Sequence, residues 1–502
     1  MKVLLMHPDR DFDMLSGIPP HEKSLSEDLA LGTLQQAMAG DDKYLAAVVH
    51  AALVSGPGSG KEMILYRQAV VKDCLENPAV VRQLYDTTLE AFAGKKSIYF
   101  SAFGRYPLGT LHDAMKLMRV FVDVLHKLRK LADVNAGRFG SDGFRNLFAM
   151  LQREFSDEYF AVVENHLKEL EFRGGVLLSA ELGPGTVGTR HILRQPREKR
   201  PNWFGRLLGQ GAPEYRFTID ERDEGGARIL SELRDRGINL VANAMAQSTD
   251  HILSFFEMLR MELAFYIGCL NLHDRLASQG IPIAFPVPGE AAERSLQFRN
   301  LYDATLALEL GSSVVANDLV ADGKNLVIVT GANQGGKSSF LRGVGVAHVM
   351  MHCGLFVTAE AFGAAVCSGL FTHYKREEDA TMKSGKFDEE LARLSDIADA
   401  ITPDSVLLCN ESFSSTNERE GSEIARQVVD ALLERRIRVF FVTHQYDFAH
   451  SRFALGRDDW LFLRAERRAD GTRSFKVTPG EPLETSYGED LYANVFEAQA
   501  AG

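Results

Sequence analysis

Several features are scarce or missing in this sequence. Cysteine is one of them: the 502 residues contain five, at positions 74, 269, 353, 367 and 409, with no C-x-x-C pair and an odd total. This distribution indicates neither a zinc site nor a disulfide framework, and it favours a reducing, cytoplasmic location. No apolar run is long enough to span a bilayer, and the apolar stretch after Met1 is too short for a signal peptide. No membrane role is therefore predicted.

An overall positive charge is also missing. The formal net charge is −12, and 25% of the residues are charged. A local basic patch on an acidic chain can still hold a phosphate backbone, so the net charge leaves nucleic-acid binding undecided. Because 45% of the residues are apolar, the chain can bury a large core, and its length favours two or three globular domains.

Long helices are predicted for more than half of the chain. Residues 1–25 are polar and turn-forming, which predicts a loose N-terminal arm. Acidic residues in the first turn favour a helix over 26–38. Apolar stripes at spacings of three and four predict further helices at 110–132 and 156–170, and a longer, more apolar one at 249–278.

Residues 172–220 interrupt the helical pattern. Glycine turns between short apolar stretches predict strands here, with another strand at EYRFTID, residues 214–220. Between the strands lies a basic cluster with two aromatic side chains: Arg190, Arg194, Arg197, Lys199, Arg200, Trp203, Phe204 and Arg206. Such a cluster fits a grip on a phosphate backbone, and a solvated loop fits the same composition.

The pattern changes again after a proline-rich connector at 281–290. Buried strands are predicted at 325–331, 354–358, 405–411 and 438–444, with helices after Ser338 and from Asp388 and Glu423. Alternation of this kind predicts an α/β domain over 281–502 with a mainly parallel sheet, whose chemistry lies at the strand ends. The predicted architecture is a long-helix core and lever domain, 26–280, with a small β-rich insert, followed by this domain.

The strongest motif follows the first of these strands. It reads Gly331-Ala332-Asn333-Gln334-Gly335-Gly336-Lys337-Ser338 and satisfies G-x-x-x-x-G-K-[ST] between a strand and a helix. Glycines let backbone N–H groups surround phosphates, Lys337 reaches the outer phosphates, and Ser338 offers a hydroxyl to magnesium. The motif predicts a nucleotide site formed by these eight residues and Ser339.

A second glycine-rich stretch, 56–61, does not satisfy the same pattern. Its first glycine is misplaced, and Glu62 follows the lysine where serine or threonine should stand. The negative side chain would repel phosphate. We therefore predict a turn between two helices.

The segment GANQGGKSS resembles the G-P-N-M-G-G-K-S-T loop of the MutS family of DNA mismatch repair ATPases, which belong with the ABC-type P-loop proteins. Further segments resemble that family in order: Asn317-Asp318 near the nucleotide base, 352–360, 410–421, Thr443-His444, 486–488 and, more weakly, 65–68. The specific resemblance covers 310–490. It implies an ATPase that uses ATP and Mg²⁺ and acts with DNA or a DNA-repair protein.

The resemblance also assigns roles around the strand ends. The family's Asp-Glu pair, in which the first acid helps to hold magnesium and the second polarises water, is replaced here by Asn410 and Glu411. An amide brings no charge, so we expect weak metal binding and slow, magnesium-demanding hydrolysis. His444 would contact the γ-phosphate and act with Glu411 and Lys337. Asp379 lies where the family has acidic residues.

The resemblance further implies a homodimer. The segment 383–387 takes the place of a serine-containing signature that completes the neighbouring subunit's site, and Ser384 is the candidate within it. The F-x-E wedge of the family's mismatch-sensing domain is missing from residues 1–25. We therefore expect DNA binding directed to backbone or shape rather than to a mismatch.

Three functions remain open from the sequence. The first is a MutS-like ATPase that couples ATP binding at a dimer interface, through helical levers, to DNA or a DNA-repair partner. The second is a nucleotide-gated scaffold that acts through protein partners without DNA. The third is a pseudo-ATPase that binds the nucleotide without turnover.

Overall fold

A computed structural model describes residues 1–98, 106–173, 175–194, 216–220, 222–376, 385–468 and 471–484. The chain forms two compact units: the first comprises Met1, 83–136 and 148–260, and the second comprises 2–82, 137–147 and 261–502. The domain boundaries near residues 25 and 280, which follow changes of composition along the chain, stay a prediction. Within the described part of the chain, no helix is long and apolar enough to cross a membrane. All five cysteines are buried and free.

Long helices dominate the first 280 residues, as predicted. They span Glu22–Asp28, Leu31–Ala39, Lys43–Ser55, Lys61–Glu76, Pro78–Ile98, Pro107–Asn135, Asp142–Glu154, Asp157–Glu169 and Glu224–Ser278. The helices predicted at 110–132 and 156–170 are confirmed, and the one predicted at 249–278 begins earlier, at Glu224. The single helix predicted over 26–38 is wrong, because Ala30 has a left-handed backbone, φ 51°, that separates two helices.

The first twelve residues are held in place rather than loose. The buried carboxylate of Glu262, on the helix Glu224–Ser278, accepts backbone N–H bonds from Leu5, Met6 and Phe12 at 2.6, 3.1 and 2.7 Å. The side chains of these three residues are at most 4% exposed. The expected loose arm is therefore wrong for this segment, whose composition gives no sign of an acceptor 250 residues further along the chain.

The β-rich insert is confirmed in part. Strands β1, Leu178–Leu182, and β2, Gly188–Leu193, form an antiparallel pair across a glycine turn. The strand predicted at EYRFTID is not formed by its described part, 216–220. Of the basic cluster, Arg190 and Arg194 lie exposed on this hairpin, and the other members lie outside the described residues.

The last 220 residues form two sheets and their covering helices. The strands are β3 Val287–Gly289, β4 Leu296–Leu301, β5 Asn317–Val320, β6 Leu326–Gly331, β7 Ala361–Ala365, β8 Leu370–Tyr374, β9 Val406–Asn410, β10 Arg438–Val442, β11 Trp460–Arg467 and β12 Arg473–Pro479. The helices are Ala304–Leu310, Lys337–His352, Lys386–Ala400, Glu418–Glu434 and Tyr446–Phe453.

The larger sheet has the order β12-β11-β6-β10-β9-β8, and only β12 pairs antiparallel. The predicted, mainly parallel sheet is thus confirmed, with strands near 326, 406 and 438 as expected. The strand predicted at 354–358 is wrong: it makes a single bridge, Ala284 with Val357, and the adjacent strand is β7. The predicted connector 281–290 contains β3, which joins β7, β4 and β5 in a smaller sheet.

Both faces of the larger sheet are covered, since its central strands are buried except at the last residues of β6 and β9, Gly331 and Asn410. Neighbouring side chains in a strand point to opposite faces. Leu407 joins a core that includes Val429 and Ile397 from the covering helices. Leu408 faces the other way, where a Cβ on Gly345 of the helix Lys337–His352 would lie 2.6 Å from its Cδ1.

The helix Lys337–His352 ends against the helix Lys61–Glu76. Gly354 has φ +76°, and a Cβ there would lie 2.3 Å from Cβ of Arg67 and 3.2 Å from the backbone N of Gln68. The glycine stretch 56–60 connects Lys43–Ser55 to Lys61–Glu76. It is therefore the turn between helices that the sequence predicted.

We expect Gly354→Ala to destabilise the protein more than Gly311→Ala does. Both glycines have left-handed backbones, which cost an L-residue about 1 kcal/mol or more. Only Gly354 is enclosed, because a Cβ on Gly311 has nothing within 4 Å. Crowding should add roughly 1–3 kcal/mol to the loss in the free energy of unfolding. Urea unfolding measures both variants, and equal losses would contradict the close approach.

We also expect Glu262 to make stability fall as the pH rises. Burial raises the pKa of its carboxyl from 4.5 to about 7, although the three N–H bonds act in the opposite direction. Between these values the folded protein keeps a proton that the unfolded chain has released, so the free energy of unfolding declines with pH in this window.

The shift corresponds to roughly 3 kcal/mol. The stability difference between wild type and Glu262→Gln should therefore shrink by about this amount between pH 4.5 and 7, as followed by urea unfolding. Glu257→Gln, an exposed position on the same helix, is the control. The same pH slope in wild type and Glu262→Gln would contradict the raised pKa.

Candidate functional site

The glycine-rich loop joins β6 to the helix Lys337–His352. Gly331 and Gly336 have φ of +107° and +87°, a region that glycine adopts without the steric cost of a Cβ. A Cβ on Gly331 would also lie 2.9 Å from the backbone N of Ala465. The loop thus requires glycine at both ends of the motif, and it leads into a helix N-terminus, where free N–H groups favour an anion.

The interior residues of the motif form the curve of this loop. The carbonyl of Ala332 accepts the N–H of Gly335 at 3.2 Å. Gln334 has a left-handed backbone with φ 58°. The carbonyl of Asn333 accepts Nε of Arg473 at 3.4 Å. The structure therefore brings residues 331–336 of the motif together in one turn of backbone, directly before the helix that begins at Lys337.

Lys337 lies across this loop. Its ammonium donates to the carbonyl oxygens of Gly331 at 2.9 Å and Ala332 at 3.1 Å, and the residue is 6% exposed. Burial lowers the pKa of Lys337, whereas the charge of Glu411 raises it. A cation is thus held against the backbone of the loop, with two carbonyl oxygens as its partners.

The parallel register brings the next two strand ends to the loop. On β10, Val442 pairs with Val329 of β6 on one side and with Asn410 of β9 on the other. As a result, Oγ of Ser338 donates to Oδ1 of Asn410 at 3.1 Å. Hydroxyl and amide oxygens are ligands that Mg²⁺ accepts. The described residues hold no group of three or more His, Cys, Asp or Glu side chains arranged for a metal.

Glu411 and His444 face each other just beyond these strands. Glu411 has a left-handed backbone, φ 57°, and its N–H donates to the carbonyl of Val442 at 2.9 Å. Nδ1 of His444 hydrogen-bonds Oε2 of Glu411. This bond raises the pKa of His444 against the effect of its partial burial. The carboxylate and the imidazole therefore form an ion pair near Lys337 when the histidine is protonated.

Three further residues support this arrangement, and the sequence motifs did not reveal them. Glu390 and Gln445 both bond the backbone of Phe413, and His373 bonds Ser412. Glu390 and His373 come from a different helix and strand, so their proximity to the loop depends on the tertiary fold. Gln445 directly follows His444. Its position beside the T-H motif was the one feature of the sequence that could have indicated its place at the site.

An apolar cavity of about 470 Å³ adjoins the loop. Its walls include Leu301, Leu306, Val314, Val315, Asn317, Gly336, Ser339, Phe340 and Phe475. Ser339 therefore lies at the cavity rather than in the curve of the loop. Oδ1 of Asn317 accepts the N–H of Val477 at 2.8 Å, which fixes β12 beside this opening. The arrangement provides a mostly apolar space directly beside the glycine-rich loop.

Several predicted features lie outside the described residues. They are Asp379, Ser384 and the segment 486–488. The helix that follows Ser384 is described from Lys386 to Ala400, with Gly385 as its N-cap. Their roles stay predictions.

We expect Glu411→Gln to lower the pKa of His444. The glutamate is the largest cause of the raised value, and an amide can accept the same hydrogen bond without a charge. The imidazole C–H resonances, followed by NMR during a pH titration, should show deprotonation at lower pH in the variant. Glu418→Gln, a nearby carboxylate that accepts the N–H of Tyr446, is the control. An unchanged titration of His444 in Glu411→Gln would contradict the pairing.

Two family models match this chain. The family model described as MutS2 N-terminal domain matches residues 59–279, and the model described as MutS domain V matches residues 327–492. The second match contains the loop, both strand ends and His444. The first covers most of the helical part of the chain and its β-rich insert.

Individual relatives are similar over part of their length. DNA mismatch repair protein MutS of Thermus aquaticus is 31% identical over 187 residues, which are 37% of this chain and 23% of that protein. The protein of the same name from Leptospira interrogans is 26% identical over 283 residues, 53% of this chain and 32% of its own. MutS protein homolog 4 of Mus musculus is 26% identical over 220 residues, which are 41% of this chain and 22% of that protein.

The chain thus matches between 22% and 32% of the length of these relatives. Two family models side by side and an ordered set of motifs around one P-loop lead to a single assignment: the chain belongs to the MutS family.

Proposed function

We propose that this chain is an ATPase that binds ATP with Mg²⁺ at the P-loop and couples binding and slow hydrolysis to DNA binding or DNA repair. One observation carries the proposal: a single sheet edge brings together Lys337, the Ser338–Asn410 pair and the Glu411–His444 pair. Relatives named as DNA mismatch repair proteins support the link to DNA.

ATP fits the loop and the adjoining cavity. The N–H groups at the start of the helix Lys337–His352 would face the phosphates, and Lys337 would exchange the two loop carbonyls for phosphate oxygens. The cavity of about 470 Å³ has mostly apolar walls with a few polar groups, among them Asn317, Asp303 and Ser313, which suits a heteroaromatic base. Its size and polarity support a purine.

Ser338 and Asn410 would hold the magnesium ion. Bound there, Mg²⁺ would neutralise charge that develops on the phosphate oxygens. The hydroxyl and the amide oxygen lie 3.1 Å apart, and both are oxygen donors without a formal charge. Neither member of this pair balances the charge of the ion, which only the phosphate would balance. This chain should therefore bind the metal more weakly than a chain with aspartate at position 410 would.

Glu411 would act on the attacking water. Its carboxylate accepts a hydrogen bond from the water as the water oxygen attacks the γ-phosphorus, while the bond to the β-γ bridging oxygen breaks. The same carboxylate is held by His444. Since the raised pKa favours the protonated imidazole, His444 can donate instead to a γ-phosphate oxygen and release Glu411. This exchange of partners, together with the weakly held metal, accounts for slow turnover.

DNA contact and dimerisation complete the proposal. Arg190 and Arg194 lie exposed on the β1–β2 hairpin, and the 55-residue helix Glu224–Ser278 gives the chain a long, stiff element. Ser384 would complete the ATP site of a second copy, so the working unit would be a homodimer. A DNA-repair protein is a further partner class.

We expect Asn410→Asp to hydrolyse ATP at lower magnesium concentrations than wild type. A carboxylate adds a charge beside the metal, and we expect a fall in the half-saturating Mg²⁺ concentration of roughly tenfold, about 1.4 kcal/mol. Steady-state hydrolysis is measured across a magnesium titration, with no DNA and with plain duplex, mismatched and branched DNA. Glu411→Gln is the control, because it should lose turnover while it still binds ATP.

Stimulation of the wild type by one form of DNA supports the coupling. ATP hydrolysis that no DNA form changes would contradict the DNA role and favour a nucleotide-gated scaffold. ATP binding without turnover in wild type and Asn410→Asp would contradict the ATPase and indicate a binding module. Equal magnesium dependence of the two proteins would show that Asn410 does not contact the metal.

A further inference from the structure

The backbone that follows Glu411 is held from two sides by buried side chains. Phe413 has φ 61°; its N–H donates to Oε1 of Glu390, and its carbonyl accepts Nε2 of Gln445 at 2.9 Å. Glu390 is 3% exposed and Gln445 is 1% exposed. A left-handed phenylalanine costs about 1–2 kcal/mol, so these bonds offset a conformation that the chain would otherwise avoid.

A second connection joins the helix Lys386–Ala400, which carries Glu390, to the backbone after Glu411. Nε2 of His373 bonds the carbonyl of Glu390 at 3.1 Å, and its Nδ1 bonds Oγ of Ser412 at 2.7 Å. Burial lowers the pKa of His373 to about 4, so the ring is neutral at pH 7. Because a carbonyl only accepts, Nε2 carries the proton. Oγ of Ser412 lies 2.7 Å from Nδ1 and 2.8 Å from the backbone carbonyl of His373, so its single proton is shared between these two acceptors. Glu390 is thus linked to two successive residues after Glu411.

A carboxylate is an unusual choice for this position if packing were its only task. Its Oε2 atom is buried and has no hydrogen-bond partner in the described part of the chain. Burying a charged group costs several kcal/mol unless it is well paired, and Arg393 is the basic group of its own helix that interacts with it electrostatically. This cost indicates that the charge-assisted hydrogen bond from the Phe413 N–H to Glu390 has a task beyond packing.

We propose that Glu390 is a positioning residue for Glu411. It holds residues 411–413 in the conformation that points the Glu411 carboxylate toward the loop, and this inference rests on the proposed function.

The test compares three substitutions at Glu390. Glu390→Ala removes the oxygen that accepts the Phe413 N–H. Glu390→Asp keeps the charge, but its side chain is one methylene shorter, so the carboxylate lies further from that N–H. Both should lower kcat by roughly tenfold to a hundredfold, the cost of a misplaced reacting group, while the Kd for ATP stays within about twofold. Glu390→Gln keeps an acceptor oxygen at the same distance but without the charge, so its kcat should lie between those of Glu390→Asp and wild type. Asp388→Ala, an exposed carboxylate on the same turn, is the control.

Gln445→Ala provides an independent check. Because Glu390 and Gln445 hold the backbone of the same residue, the double variant with Glu390→Asp should lose less than the product of the two single effects on kcat. Unchanged kcat in folded Glu390→Asp, or multiplicative effects in the double variant, would overturn the proposal. A fall in ATP affinity that matches the fall in kcat would also overturn it, since that result indicates general disruption.

Amide hydrogen exchange separates this inference from the proposed function. The Phe413 amide should exchange faster in Glu390→Asp than in wild type and in Glu390→Gln, without a comparable change at Val439 in the sheet core. If the wild type has no ATPase activity, the proposed function fails, and exchange at Phe413 still decides whether Glu390 holds this loop. Equal exchange at Phe413 in wild type and Glu390→Asp would overturn the proposed contact.

Discussion

The pairing of β6, β10 and β9 in one parallel register is the constraint on which the candidate site depends. Parallel strands end at the same edge, and Val442 lies opposite both Val329 and Asn410. A shift of one residue would turn each side chain to the other face. Because three separate segments share this alignment, Asn410 comes within hydrogen-bonding distance of Ser338, and Glu411 comes within hydrogen-bonding distance of His444.

The chain bends sharply just after the strands end, and that bend has a cost. Glu411 and Phe413 both adopt left-handed backbones, with Ser412 between them. Such conformations persist only where surrounding contacts determine them, and they are frequent at functional sites. Here Gly421 is also required, because a Cβ on it would lie 2.3 Å from the carbonyl of Phe413. The site is thus held by residues from two neighbouring helices.

Sequence alone predicted the features that depend on local chemistry. The P-loop, the buried strands around it and the amphipathic helices follow from spacing and residue type, which is why Lys337, Ser338 and Asn410 were found. Glu390 and Glu262 were missed because a buried acid in a helix has no local pattern that distinguishes it from an exposed one. The strand expected at 354–358 was wrong because an apolar run also suits a buried segment after a helix, and Phe356 is fully buried there.

The contact between Glu262 and the start of the chain has a consequence for biosynthesis. Leu5 and the acid that receives its N–H are 257 residues apart. Synthesis proceeds from the N-terminus, so the segment around Leu5 leaves the ribosome well before its acceptor on the helix Glu224–Ser278 exists. Contacts between such distant positions are slow to form, because the long intervening loop must first be closed. We therefore expect the segment from Leu5 to Phe12 to reach its native contacts late in folding.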